Sequence, residues 1–503
     1  MAIAAAGSAM ATLAAIAGCA QAETLPSTVA NALREAGIPT TAASIVVQAV
    51  DSDRPLVALN PDLAMNPASV MKLVSTYAAL HLLGPAWRWN TPLLALRPPR
   101  EGNLEGDLFI RGGGDPKLTA DALRDALRTL RSRGVRDIRG DLVLDRSLFE
   151  AADIDPGAFD QEPTRPYNVG PDPLLAQFKA VRFQFLPDPE RGSVTITADP
   201  PLAAIELVAN VRTSTGPCAD WRAQLALTVQ GGPRSARVSF DGALPASCGE
   251  RIWYLGLLSH PEFFHALFRT LWTELGGTLA GTLREGRTPS DARILANIES
   301  ASLAEAVRDI NKYSNNVMAR QLFLGLSAFD PTGAMDQGFP AASTMRSARR
   351  VETWLRMRGI DTRSLVLDNG SGLSRSERMT AASLAQLLLD AWSSNVMPEF
   401  IASMPIASID GTLRNRPSLR SMAGDAHLKT GSLNDVRAIA GYVRTPDGQR
   451  FAVVMIVNHA NAPRVNAAQD ALLRWVHDAP APTTPRGSSA TRRSTSTAAP
   501  GRR

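Results

Sequence analysis

The segment that most limits the fold is 425–459, DAHLKTGSLNDVRAIAGYVRTPDGQRFAVVMIVNH. Two β-rich runs flank the turn TPDGQ, the pattern of an antiparallel hairpin. A short strand precedes them and carries Lys429-Thr430-Gly431 at its end. A chain with this segment must build an antiparallel sheet. Gly431 has no side chain, so a ligand or another backbone can come close there. The plainer reading is an ordinary strand followed by a glycine turn.

At 503 residues the chain exceeds one ordinary domain and can bury a large core. Its 45% hydrophobic and 20% charged residues fall in the range of globular proteins. A net charge of +5 suits an acidic polymer or an anionic surface. No basic stripe interleaved with aromatics stands out, which argues against a nucleic-acid partner.

Residues 1–22, MAIAAAGSAMATLAAIAGCAQA, carry no charge and end in Ala20-Gln21-Ala22, a small-x-small pattern suited to signal peptidase. They read as a signal peptide, so the chain is expected to be periplasmic or otherwise extracytoplasmic. The stretch lacks the usual N-terminal Lys or Arg. IAGC also resembles a lipoprotein box, which would make Cys19 a lipidated N-terminus. Both readings stay open, with soluble export preferred. With Cys19 removed, Cys218 and Cys248 remain, and an even pair in an exported chain suggests a disulfide. Two buried free thiols are the alternative. Residues 479–503, rich in Pro, Ser, Thr and Arg, bury too little to order themselves. They read as a basic tail suited to loose contact with an anionic wall or membrane. The sequence leaves the oligomeric state open.

Of 53 Lys and Arg residues only five are lysine. Arg therefore serves wherever a positive charge suffices, and a retained Lys marks places where Arg fails, because an ammonium can lose its proton and a guanidinium cannot. Lys72 follows Ser69 at i+3 in NPASVMKLVSTYAAL. Pro67 opens a helix there, so Ser69 lies near its N-terminus with Lys72 on the same face. A neutral amine at that place could accept the serine proton. Taken alone, the quartet is weak evidence and reads first as an exposed amphipathic helix. Lys312 precedes Ser314 and Asn316 in NKYSNNVMARQL, where the helix opened by a Ser302–Glu305 capping box loses its periodicity. Taken alone, Ser314 and Asn316 read as caps of the next helix. Lys117 and Lys179 sit in less informative surroundings.

Together, Ser-x-x-Lys, Ser-x-Asn and Lys-Thr-Gly in this order resemble the penicillin-recognising serine DD-peptidases and β-lactamases. DNGSGLSR (368–375), GDLFIRGGGDP (106–116) and KTGSLNDVRAIAGYV narrow this to a resemblance to the D-alanyl-D-alanine carboxypeptidase/endopeptidase family, the low-molecular-mass class C penicillin-binding proteins. The glycine-rich RGGGDP has neither Walker nor dinucleotide spacing and reads as a turn.

The resemblance implies an α+β fold: a penicillin-binding transpeptidase/β-lactamase-like domain, its antiparallel sheet flanked by helices, interrupted by a large β-rich insert. The 242 residues from Lys72 to Ser314 hold strand-like runs such as GDLVLD, SVTITADP and ARVSFDG. The peptidase domain is expected to be split in sequence, with one segment at 23–90 and the other at 266–478. Between them the insert, at 91–265, holds both Cys218 and Cys248.

The implied activity is that of a D-Ala-D-Ala carboxypeptidase/endopeptidase acting on peptidoglycan peptides and inhibited by β-lactams. Ser69 would be the nucleophile, Lys72 its base and Ser314 the relay to the leaving amine. Asn316 would hold Lys72 and the peptide backbone. Lys429, Thr430 and Ser432 would bind the terminal carboxylate beside Gly431, and the N–H groups of Ser69 and Ser432 would form the oxyanion hole. Arg375 and Leu433 are further candidate substrate contacts, while His427 reads as structural. No cofactor is implied, and the six histidines show no zinc spacing. A β-lactamase, a catalytically weak wall-binding protein and a serine esterase on this fold are the rival readings.

Overall fold

The computed structural model describes residues 25–150, 154–329 and 340–479. The leader with Cys19, and all of the tail reading but Ala479, lie outside the described residues.

The hairpin forms with strands Val436–Arg444 and Arg450–Asn458. It belongs to a five-stranded, wholly antiparallel sheet, in the order Ala426–Ser432, Val436–Arg444, Arg450–Asn458, Ala43–Ala49, Val57–Leu59. The apolar run FAVVMIV has a simple cause. Side chains alternate across a strand, and here both faces are covered. Val453, Met455 and Val457 pack with helices Ser27–Glu35 and Asn466–His477. Ala452, Val454 and Ile456 pack with the helical layer that includes Lys72–Leu83, Leu303–Tyr313 and Ala381–Trp392. Each such buried aliphatic side chain contributes roughly 1.5–3 kcal/mol.

Every residue from Lys72 to Leu80 is buried, so this helix is a core helix and has no solvent face. It is entered through a 3-10 turn, Ala68–Met71, which packs on the Ala426–Ser432 edge strand and on Val436–Arg444.

The insert contains three sheets, two large ones and a small one of strands Asn103–Leu104, Asp137–Ile138 and Thr278–Leu279, around one apolar core. A six-stranded sheet runs in the order Leu225–Gly231, Ala236–Pro245, Ile205–Ser214, Ser193–Asp199, Ala180–Asp188, Arg251–Gly256. A five-stranded sheet places Asn90–Ala95 beside Arg293–Glu299. Helices Ala120–Ser132 and His260–Glu274 share the same core. On this packing we propose that the insert spans 90–299. This span runs past the expected limit of 265, because Leu267, Phe268, Leu271 and Ile298 lie beyond it and pack in the insert's core. Residues 278–299 contribute strands of two and three residues, and a third, Arg293–Glu299, whose alternation is broken by an irregularity at Ile294/Ala296. Cys218 and Cys248 are bonded to each other with their Cα atoms 4.8 Å apart, and both pack in this core, far in sequence from the Ser69 turn.

Candidate active site

The turn before Ser69 is fixed by amides. Asn66 Oδ1 accepts from Ala68 N at 2.9 Å, and Asn66 Nδ2 donates to Ser374 O at 2.9 Å. Asn458, at the end of the central strand, accepts from Asn66 N and donates to Asn66 O. Ala68 adopts φ 46°, a left-handed conformation uncommon outside glycine and a place where local strain is held. Two glycines let other backbones close around the turn. A Cβ on Gly372 would lie 1.9 Å from Ala68 O, and one on Gly431 would lie 2.5 Å from Pro67 O and 3.1 Å from Ser69 N. The DNGSGLSR loop and the KTG strand thus meet at the Ser69 turn.

Lys72 is wholly buried, and its Nζ has three neighbours. They are Ser69 Oγ at 2.9 Å, Asn316 Oδ1 at 2.6 Å and the carbonyl oxygen of Ser371. An amide oxygen and a carbonyl oxygen can only accept. A neutral amine has two N–H bonds for these and one lone pair left for a hydroxyl proton. Burial lowers the Lys72 pKa well below the ordinary value; the Lys429 charge lowers it further, Glu377 opposes, and Arg320 adds to the lowering.

Ser314 ends helix Leu303–Tyr313 in the left-handed conformation, φ 54° and ψ 39°. Asn315 caps the next helix by accepting from Met318 N, which leaves the Asn316 side chain free to face Lys72. That second helix is tied to the insert. Gln321 accepts from Asp172 N at 3.0 Å and donates to Asp172 O at 2.6 Å. Lys429, in the middle of its strand, donates to Ser314 Oγ at 2.9 Å and to Thr430 O at 2.6 Å. It is fully buried, and burial pushes its pKa down to about 7. Ser69, Ser314, Asn316, Thr430, Gly431 and Ser432 line one cleft of about 470 Å³.

Two residues near the site, Glu377 and Asp410, carried no readable sequence signal. Glu377 is buried under the DNGSGLSR loop, where its Oε1 accepts from Asn369 N at 3.1 Å and Gly370 N at 2.8 Å. Burial pushes its pKa up to about 7. In sequence it lies among the charges of SRSER, which look solvated. Lys312 forms an ion pair with Asp410 at 2.6 Å, and Asp410 also accepts from Ile406 N. This pair ties the helix before Ser314 to the loop before the KTG strand. Arg375 pairs with Asp435, in the turn that carries Leu433, and lies over the Phe159 ring. Among the described residues no cluster of His, Cys, Asp and Glu is arranged to hold a metal.

Residues 25–479 match the D-Ala-D-Ala carboxypeptidase 3 (S13) family. The chain is 30% identical over 426 residues to a D-alanyl-D-alanine carboxypeptidase of Actinomadura sp. (strain R39), covering 81% of this chain and 76% of that relative. The fold is similar to the crystal structure of penicillin binding protein 4 (dacB) from Haemophilus influenzae. That match has a TM-score of 0.73 and 24% identity, and it covers 89% of this chain and 99% of the other. The Haemophilus protein complexed with a β-lactam matches with a TM-score of 0.70 at 22% identity, over 90% and 99% of the two chains.

Proposed function

The chain belongs to the D-Ala-D-Ala carboxypeptidase 3 (S13) family and is a serine DD-peptidase, and from that premise we propose how its own residues carry the reaction. Ser69 Oγ attacks the carbonyl carbon of the D-Ala–D-Ala bond while Lys72, as a neutral amine, takes the hydroxyl proton. The N–H groups of Ser69 and Ser432 receive the oxyanion. Collapse of the tetrahedral intermediate breaks the C–N bond. The proton held by Lys72 is relayed through the Ser314 hydroxyl to the leaving amine, which restores both groups, and D-alanine departs. Water then attacks the ester and returns Ser69 and the shortened stem peptide. Lys429, Thr430 and Ser432 hold the terminal carboxylate, and Asn316 keeps Lys72 aimed at Ser69.

The observation that carries this assignment is the environment of Lys72 Nζ: two obligate acceptors and one hydroxyl, in a site that disfavours the ammonium. The substrates are peptidoglycan peptides, and β-lactams are the inhibitors. Work outside the cytoplasm fits the uncharged leader of residues 1–22, with Cys19 as the lipidation point if the lipoprotein reading holds. Among the described residues no helix is long and apolar enough to cross a membrane.

Incubation with penicillin, followed by intact-mass measurement and peptide mapping, tests the assignment. A single adduct on Ser69 is expected. An adduct on any other residue rejects it. Digestion of purified peptidoglycan, with products identified by mass, then separates carboxypeptidase from endopeptidase cleavage.

A further inference from the structure

The wall opposite the KTG strand opens into a second hollow of about 480 Å³. Ser314 and Asn316 line both this hollow and the Ser69 cleft, so the two adjoin at these residues. The far side of this hollow is the solvent face of the insert's six-stranded sheet. Across three neighbouring strands, Tyr254 stands opposite Arg182, and Arg182 opposite Asp199. Directly opposed residues project to one face, so the three form a row. The neighbours Trp253, Leu255, Val181 and Phe183 point the other way, into the core.

The chain has five tyrosines. Tyr77 and Tyr442 are buried in the peptidase core. Tyr167, Tyr254 and Tyr313 are 38%, 47% and 64% exposed, and they are the most exposed aromatic rings among the described residues. All three line this one hollow, although they come from a turn, a strand and a helix end. Core packing does not explain why three separate elements bring exposed rings to one place.

The surrounding groups define the ligand chemistry. Asp199, Gln177 and Asn315 add planar hydrogen-bonding groups. The Arg182 charge is already engaged by Gln184 at 3.0 Å and Glu250 at 3.4 Å, so the hollow is not a bare cation site for a polyanion. Exposed rings with polar rims fit a ligand that has flat apolar C–H faces and an edge of hydroxyl and amide groups. A pyranose bearing an acetamido group is such a ligand. We propose that this hollow binds the N-acetylhexosamine strand that carries the stem peptide, so that the glycan lies on the insert while its peptide enters the Ser69 cleft. The proposal rests on the DD-peptidase reading and assigns the insert a role in choosing glycan-linked peptides.

Two measurements on the full chain test it. The first compares kcat/KM for a free stem pentapeptide and for the same peptide on an N-acetylglucosaminyl–N-acetylmuramyl disaccharide, in wild type, Tyr254→Ala and Tyr167→Ala. Wild type is expected to favour the disaccharide substrate by about fivefold or more, since loss of one good aromatic contact costs affinity on that scale. Each variant is expected to lose most of that preference while its rate on the free peptide is kept. Equal rates on both substrates in wild type, or equal losses on both in the variants, overturn the proposal. The second titrates a β-1,4-linked N-acetylglucosamine tetrasaccharide into Ser69→Ala protein by calorimetry. Binding that Tyr254→Ala weakens supports the proposal, and no binding overturns it. Penicillin labelling of wild type reads the DD-peptidase assignment separately: a labelled enzyme indifferent to the sugar rejects only the glycan site, and an unlabelled one rejects the assignment beneath it.

Discussion

Asn316 Oδ1 lies 2.6 Å from Lys72 Nζ although 244 residues separate the two in the chain. The whole insert lies between them. The helix that begins at Asn316 is clamped to that insert through Gln321 and the Asp172 backbone. Asp172 in turn pairs with Arg146, which reaches Glu285 at 2.6 Å. The Lys72–Asn316 contact is thus braced from the insert's side as well as from the peptidase core.

The two buried lysines should differ on replacement. Lys72→Arg should abolish penicillin acylation, because a guanidinium cannot act as the base. Lys429→Arg should keep more activity, since a positive charge beside a carboxylate is its main task. Stopped-flow acylation rates check the order. A Lys72→Arg enzyme near wild type, or less damaged than Lys429→Arg, reverses the roles.

Changes of charge around Lys72 should move the pH profile in opposite directions. The Glu377 carboxylate raises the Lys72 pKa. Glu377→Gln should therefore let Lys72 lose its proton at lower pH and shift the acid limb of acylation downward. Asn316→Asp puts a negative charge on the Lys72 amine and should shift the limb upward. Acylation rates across pH decide this, and shifts of the same sign in both variants rule out the electrostatic account.

Glu377 should also leave a mark on stability. Its folded pKa, about 7, stands above the ordinary 4.5. Below 4.5 the carboxyl is protonated in both states and adds no pH dependence. Between 4.5 and about 7 the unfolded chain ionises first, so the folded state holds more protons and stability falls as pH rises. Above 7 the loss is constant. Denaturant unfolding of Glu377→Gln should therefore gain on wild type as pH rises through that window. A difference between the two that is flat in pH counts against the buried acid.

The Cys218–Cys248 bond closes a loop of 30 residues inside the insert. In the chain-entropy model such a loop is worth about 3–4 kcal/mol. The double change Cys218→Ser with Cys248→Ser should lower Tm clearly while penicillin acylation by Ser69 stays within about twofold of wild type, because the bond lies in the insert's core and shares no partner with the Gln321–Asp172 clamp. Acylation that collapses in a folded protein would show that the insert shapes the cleft.

Much of the peptidase domain was legible because its signals are local. TPDGQ sets a turn, and the three motifs carry chemistry in their side chains. Ser371 contributes only a carbonyl to Lys72, and a carbonyl leaves no trace in residue type. Asn66 and Asn458 act on each other across 392 residues, a pairing that only the assembled sheet creates. Glu377 looks solvated in sequence because its burial depends on the loop folded above it. The far end of the insert is hard to read for a related reason: an irregularity at Ile294/Ala296 breaks the alternation of its last strand, and the partners of its last strands lie near residues 90 and 140.

The central claim is that Lys72 is a neutral amine aimed at Ser69. With only five lysines in the chain, the protein labelled with 13C at lysine Cε gives a spectrum simple enough to assign by single substitutions. The Lys72 signal should carry the chemical shift of a neutral amine at the pH where penicillin acylation is fastest, and Glu377→Gln should move its titration to lower pH. A Lys72 signal that remains that of an ammonium at this pH would contradict the account.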